Sequence, residues 1–187
     1  MEHPEHARVV VTWDDDDGSS DYFERSVDAI VEYDGDGNAL FQGTQVWGTA
    51  DGIGSVGPGT SSEPVTTPWF PGPGGTRLNF FTFLPPSTGA GDMEQRTGSD
   101  FEPGRLTAIE GLAESFDPER PGWHISDTID FVLVMSGEVV LELDRREVLV
   151  KEGDVIVMRG GWHNWRNDSG KPCTVAAVLV GASRRTA

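Results

Sequence analysis

The stretch GWHISDTIDFVLVMSG, running from Gly122 to Gly137, is an apolar segment with a polar side chain at every second position of its first half. Side chains of an extended strand alternate between two faces. His124, Ser126, Thr128 and Asp130 then share one face, continued by Val132 and Val134, while Ile125, Ile129, Phe131, Leu133 and Met135 take the other. An imidazole, two hydroxyls and a carboxylate on a buried face each cost free energy unless they are hydrogen-bonded or bound to something. The stretch therefore predicts a strand that carries a site.

Downstream, every pattern is a short strand followed by a tight turn. Val139, Leu141 and Leu143 alternate with polar residues after Gly137, and Arg145-Arg146 make the next turn. Short strands follow at Val148 to Val150, Val155 to Met158 and His163 to Arg166, separated by Glu152-Gly153-Asp154 and Gly160-Gly161. Cys173 to Val180 is apolar at nearly every position, which predicts a central strand covered on both faces. Many short strands at close spacing predict an all-β sandwich or barrel.

Upstream, residues 104–116 hold Leu106, Ile109 and Leu112 at helical spacing, so a short amphipathic helix is expected, ended by Pro118 and Pro121. Arg77 to Leu84 (RLNFFTFL) reads as a strand bounded by Pro85 and Pro86, and residues 87–103 as loop. Residues 49–76 are rich in Gly, Pro, Ser and Thr, a composition for a segment that wraps a surface, and Trp69 and Phe70 are expected to anchor it on the core. Strands are expected at Arg8 to Trp13, Ala29 to Tyr33 and Gln45 to Trp47. The DDDDG run from Asp14 to Gly18 is a solvated turn rather than a calcium loop, because the other ligands of such a loop are missing. Residues 1–7 read as a tail in which His3 and His6 have no metal role.

Length and charge bound the function. A chain of 187 residues suits one structural domain. Its expected parts are the tail 1–7, N-terminal strands and loops over 8–103, and a barrel with its leading helix over 104–187. The formal charge is −17, from 31 acidic against 14 basic residues, so phosphate backbones and anionic membranes repel it and nucleic acid is not an expected partner. Cys173 is the sole cysteine, which rules out an internal disulfide. The polar, acidic N-terminus does not read as a signal peptide, and no apolar run reaches membrane-spanning length, so a cytoplasmic location is expected.

Over residues 122–181 the chain resembles a cupin, the small double-stranded β-helix or jelly roll. That family's first motif, G-x5-H-x-H-x3,4-E-x6-G, is matched here by His124, Ser126, Asp130 and Gly137. Its second, G-x5-P-x-G-x2-H-x3-N, is matched by Gly153, Gly160, His163 and Asn167, with Met158 at the proline and one residue fewer before it. The resemblance implies a metal set of His124, Asp130 and His163, with Ser126 where a second histidine is usual. Two histidines and a carboxylate suit Fe, Zn, Mn or Ni with open positions for substrate. No organic cofactor is indicated.

The same residues also have plainer readings. Asp130 serves either as a ligand, as a general base in a dry pocket, or as an acceptor for Ser126 and Thr128. His163 is a ligand or a histidine bonded to a turn. Arg159 either holds a substrate carboxylate or phenolate near the barrel mouth or makes a surface ion pair. Trp123, Trp162 and Trp165 are core packing or an aromatic rim for a planar ligand. The apolar outer face of the 122–137 strand needs a cover, from the N-terminal residues or from a second subunit, and the resemblance implies a homodimer.

The function expected is a small-molecule enzyme with its active site inside the barrel, metal-dependent, of the cyclase, dehydratase, isomerase or dioxygenase kind found in secondary metabolism or small-molecule breakdown. The alternative is a non-catalytic binding or sensor barrel. No helix-turn-helix segment is visible and neither motif recurs, which argues against a DNA-binding sensor and a two-barrel protein.

Overall fold

The computed structural model describes residues 6–33, 39–60, 63–85 and 109–185. Eleven strands are formed among them: β1 (His6–Asp14), β2 (Ser20–Asp28), β3 (Ile30–Tyr33), β4 (Ala39–Thr49), β5 (Thr76–Phe83), β6 (Thr128–Ser136), β7 (Glu138–Leu143), β8 (Arg146–Lys151), β9 (Val155–Met158), β10 (His163–Arg166) and β11 (Cys173–Gly181). They pair into a six-stranded sheet in the order β3-β4-β5-β11-β6-β9, a three-stranded sheet β10-β7-β8, and the hairpin β1-β2. All pairings are antiparallel. No helix among the described residues is long and apolar enough to cross a membrane.

The two larger sheets face one another across one apolar interior, as in a jelly roll. Val132 and Val134 of β6, Val139 of β7, Val150 of β8 and Cys173, Val175, Ala177 and Leu179 of β11 form that core, and Phe81, Phe83, Met158 and Trp165 close on it. Cys173 is a fully enclosed core residue whose thiol is pushed up to about 11 by burial and by Glu138. Trp69 is the anchor expected of it: it is buried with Leu112, and its ring lies 5.8 Å from that of Phe81.

Several expectations need correction. The tail is shorter on its C-terminal side, since His6 and Ala7 already belong to β1 and Ala7 is buried. Strand β2 was not anticipated, because SDYFERSVD mixes charges with apolar residues; it forms as half of a two-stranded ribbon with a solvated face. Residues 104–108 of the expected helix lie outside the described part, and from Ile109 on the chain makes turns and one turn of 3-10 helix, Ala113–Ser115. Gly111 at φ +82° has the left-handed backbone that ends a right-handed helix. Ile109 and Leu112 still pack on Trp69, so the apolar spacing reported burial correctly and helicity wrongly.

Of the two covers expected for the outer face of β6, the first is not formed by the described residues. Among the described residues the N-terminal strands do not cover it: β3 and β4 extend the sheet sideways through β5, and β1 and β2 form a hairpin of their own. Ile129, Phe131, Leu133 and Met135 stay exposed, together with Val155 and Val157 of β9 and Val178 of β11. Strand β11 is central, and on this side Val178 is its exposed residue.

Candidate functional site

The regular strand begins at Thr128, four residues later than His124. Before it, His124 forms an isolated bridge with His163, the two backbones exchanging N–H···O bonds of 2.9 and 3.1 Å, and a second bridge with Phe116. His124 thus extends the edge of the three-stranded sheet, and the chain crosses to the six-stranded sheet between 124 and 128. The pairing places the two imidazoles side by side, with ring centroids 4.1 Å apart and planes inclined at 59°.

Each imidazole is oriented from behind. Nδ1 of His124 donates to the Gly122 carbonyl at 3.0 Å, and Nδ1 of His163 to the Gly161 carbonyl at 2.9 Å. A carbonyl accepts and cannot donate, so Nδ1 carries the proton and Nε2 keeps its lone pair. Burial, followed by the neighbouring His163, pushes His124 down to about 3, and burial lowers His163 as well. Both rings are neutral near pH 7, and each offers one nitrogen acceptor.

Asp130 lies on the inner face of β6, which is buried at every second residue from Thr128 to Ser136. Its Oδ1 is enclosed without a hydrogen-bond partner. Burial raises its pKa to about 6, opposed in part by a hydrogen bond from Thr128. The Thr128 and Ser126 hydroxyls are 2.6 Å apart. Either hydroxyl can donate to the other, and both lie beside Asp130 on the buried face of the strand.

As ligands of one metal ion, His124, Asp130 and His163 do not fit as placed. Among the described residues no three His, Cys, Asp or Glu side chains come together as an ion-holding group. The two histidines belong to the edge of one sheet and Asp130 to the other, and an aspartate is one methylene shorter than the glutamate of the family motif. Two neutral imidazoles supply two donors, where zinc or Fe(II) sites take three or more protein ligands.

Arg159 is exposed, on the outward position that follows the inward-facing Met158, as either of its two readings allows. Trp123 and Trp162 do not form an open aromatic rim: Arg120 sits between them, with its guanidinium carbon 4.6 Å from one ring and 5.1 Å from the other. Arg120 also bonds Asp117 at 2.7 Å and Asp144 at 2.8 Å, so the two segments that carry the histidines are clamped together. Trp165 stacks on Phe83 with centroids 5.2 Å apart and presents its edge to His163. Asn167, the motif asparagine, is structural: its amide nitrogen donates to the carbonyls of Phe83 and Lys171.

Residues not anticipated from the sequence also shape the site. Arg184 reaches back from the C-terminal segment to the carbonyls of Ser126 (2.8 Å) and Gly160 (3.0 Å) and to the Asp127 carboxylate, fixing the crossing segment. Nothing local in the sequence connects positions 58 residues apart. Arg77 and Asn79 of β5 are fully enclosed, and for them a signal existed, since RLNFFTFL sets these two polar residues two positions apart in an otherwise mostly apolar strand.

Comparison with known proteins agrees with this architecture. Residues 114–180 match the family model described as a cupin domain. The chain carries a cupin domain. Over 51 residues it is 50% identical to "Oryzines biosynthesis cluster protein J" of Aspergillus oryzae, a stretch that is 27% of this chain and 28% of that protein. It is 46% identical over 55 residues to "Phomopsin biosynthesis cluster protein C'" of Diaporthe leptostromiformis, covering 27% and 29%. The aligned stretch spans under a third of either relative. Among solved structures, a cupin-2 domain from Rhodospirillum rubrum superposes with a TM-score of 0.43 at 12% identity, over 86% of this chain and 72% of that one. FeII HppE superposes at 0.45 and 10% identity, over 82% and 56%.

Proposed function

We propose that this cupin is an enzyme of secondary metabolism that performs proton-transfer chemistry, such as cyclisation, dehydration or isomerisation, on a small molecule held inside the barrel. One observation carries the reading: Asp130 is an enclosed carboxylate with one oxygen free of any partner and the Ser126–Thr128 hydroxyl pair beside it. A buried carboxylate held near pKa 6 accepts a proton from a substrate at neutral pH and returns it at modest cost. The neutral Nε2 atoms of His124 and His163 offer acceptors for a substrate hydroxyl or N–H. The relatives named for biosynthesis clusters support the metabolic class, and the fold by itself does not fix the reaction.

The test is comparative metabolite profiling of the native host with the gene deleted and then restored as wild type or as Asp130→Asn. The asparagine variant is expected to accumulate the same precursor as the deletion, with turnover lowered roughly 100-fold to 10,000-fold. Full restoration by Asp130→Asn, or a deletion without metabolic effect, would replace the enzyme reading with that of a binding module.

We also infer a homodimer. The exposed face formed by Ile129, Phe131, Leu133, Met135, Val155, Val157 and Val178 is apolar over three neighbouring strands and carries no acidic side chain among these positions, with Arg159 next along its edge, in a chain of net charge −17. A second copy meets repulsion over acidic surface but none on this face, and an uncovered apolar patch of this breadth is unusual on a monomer. A symmetric pairing of the two faces would bury both at once.

A further inference from the structure

Strand β5 brings two polar side chains to the same interior as Asp130. Arg77 and Asn79 alternate with Leu78 and Phe80, on the face from which Phe81 and Phe83 close on the core. Both are 0% exposed. Arg77 donates from Nε to the Pro68 carbonyl (3.0 Å) and from Nη1 to the carbonyls of Thr49 (3.0 Å) and Thr76 (2.8 Å), while Nη2 has no partner. Its nearest electrostatic support is Asp51, whose carboxylate is engaged with the backbone N–H of Gly72. Neither Oδ1 nor Nδ2 of Asn79 has a partner. Its neighbours in register are Ala177, which offers a methyl group, and Gln45, whose own amide nitrogen is turned to the Thr66 carbonyl at 2.7 Å.

Three enclosed orphan atoms on one strand face each forgo their hydrogen bonds, and a valine at 79 would serve the sheet better. Such a departure points to function rather than folding. Across the sheet Arg77 is opposite Leu179, and Leu179 is opposite Asp130. Two strand spacings, roughly 10 Å, separate the arginine from the carboxylate.

We propose that Arg77 and Asn79 form the anchoring subsite for the barrel's ligand, and that this ligand carries a carboxylate flanked by a hydroxyl or N–H. The orphan atoms are two donors, Arg77 Nη2 and Asn79 Nδ2, and one acceptor, Asn79 Oδ1. A carboxylate supplies the two acceptors, with the charge that a buried guanidinium lacks, and the adjacent hydroxyl or N–H supplies the donor. Acids substituted at the 2-position and N-acylated amino acids present this pattern. The proposal rests on the barrel interior being the ligand site, with Asp130 at the reacting end of a molecule long enough to span two strands.

The test is a titration of the isotope-labelled protein with lactate and N-acetylglycine at millimolar concentration, against their methyl esters, following the Asn79 side-chain amide and the Arg77 Nε–H by NMR. The acids are expected to shift both signals saturably, and the esters to bind at least about 10-fold more weakly. Asn79→Leu removes two orphan atoms, so it is expected to melt about 2–4 °C higher while losing the acid response at Arg77. Asp130→Asn is expected to keep the acid response. Equal response to acid and ester, no saturable shift in the wild type, or a lower melting temperature for Asn79→Leu would each overturn the anchor. Loss of the anchor with Asp130→Asn still blocking metabolism would leave the reaction reading standing, and the reverse outcome would leave the anchor alone.

Discussion

Strand β6 shows two faces that invert the usual rule. Its inner face encloses Thr128, Asp130 and Ser136 between valines, whereas its outer face leaves Ile129, Phe131, Leu133 and Met135 in water, with Phe131 at 49% exposure. A strand selected for folding alone would turn its phenylalanine inward and its aspartate outward. Neither face is explained by the isolated chain. The inner face is the ground for the ligand site proposed above, and the outer face for the inferred dimer.

The sharpest way to break the comparison is on the outer face. Phe131→Asp places two carboxylates at the centre of a symmetric contact, so the dimer dissociation constant is expected to rise roughly 100-fold or more. Sedimentation equilibrium should then report a 20.3 kDa particle where the wild type gives twice that mass. A wild type that sediments as a monomer at every concentration removes the inferred dimer, and the face must then be assigned to another partner. Because Phe131 points away from Asp130, the substitution should leave the Asp130 titration unchanged.

On the inner face the expected effect is smaller and depends on pH. The Asp130 carboxyl has a folded value of about 6 against 3.8 for an ordinary aspartate, so between these values the folded chain holds the extra proton and stability falls as pH rises. His124 and His163 act in the opposite sense. Their folded values lie below 6.5, the unfolded chain takes up protons first, and stability falls as pH drops through that region. Asp130→Asn removes one arm of this balance. In denaturant melts it should be more stable than the wild type above pH 7, by up to about 3 kcal/mol, and converge with it below pH 4. A variant equally destabilised at all pH values would show that Asp130 is a structural acceptor and not a strained acid-base group. With the loss of turnover expected above, this substitution exchanges function for stability.

The same contrast explains what the sequence makes legible. Period-two alternation is a local property, so β5, β6, β7, β9, β10 and β11, and the inward position of Asp130, can be read directly. The motif spacings likewise pair His124 with His163. What alternation cannot report is which sheet a strand end joins. His124 and Asp130 stand six residues apart on what reads as one face, yet the chain changes sheets between them, and among the described residues no group of three potential ligands is gathered. Contacts across long sequence separations are equally silent: Arg120 between two tryptophans, and Arg184 on the Ser126 carbonyl. What covers the outer face is left open by the sequence for a third reason. Apolar residues signal that burial is favourable, but not that this chain provides it.

That no three potential ligands gather among the described residues leads to the weakest expected effect, on metal content. Two imidazoles with acceptor Nε2 atoms resemble part of a metal centre, and a pair of nitrogens alone holds a first-row ion loosely. Elemental analysis of untagged protein after dialysis is expected to find well under one equivalent, with EDTA moving the melting temperature by less than about 1 °C. Whatever remains should fall in His163→Ala and be unchanged in Asp130→Asn. Near-stoichiometric metal lost equally in both variants would mean that the segment from His124 to Thr128 swings the carboxylate onto the imidazoles. That segment is held by Arg184, so Arg184→Ala should then alter metal affinity from outside the ligand set. Metal content therefore reports whether the two sheets act as one site or as two.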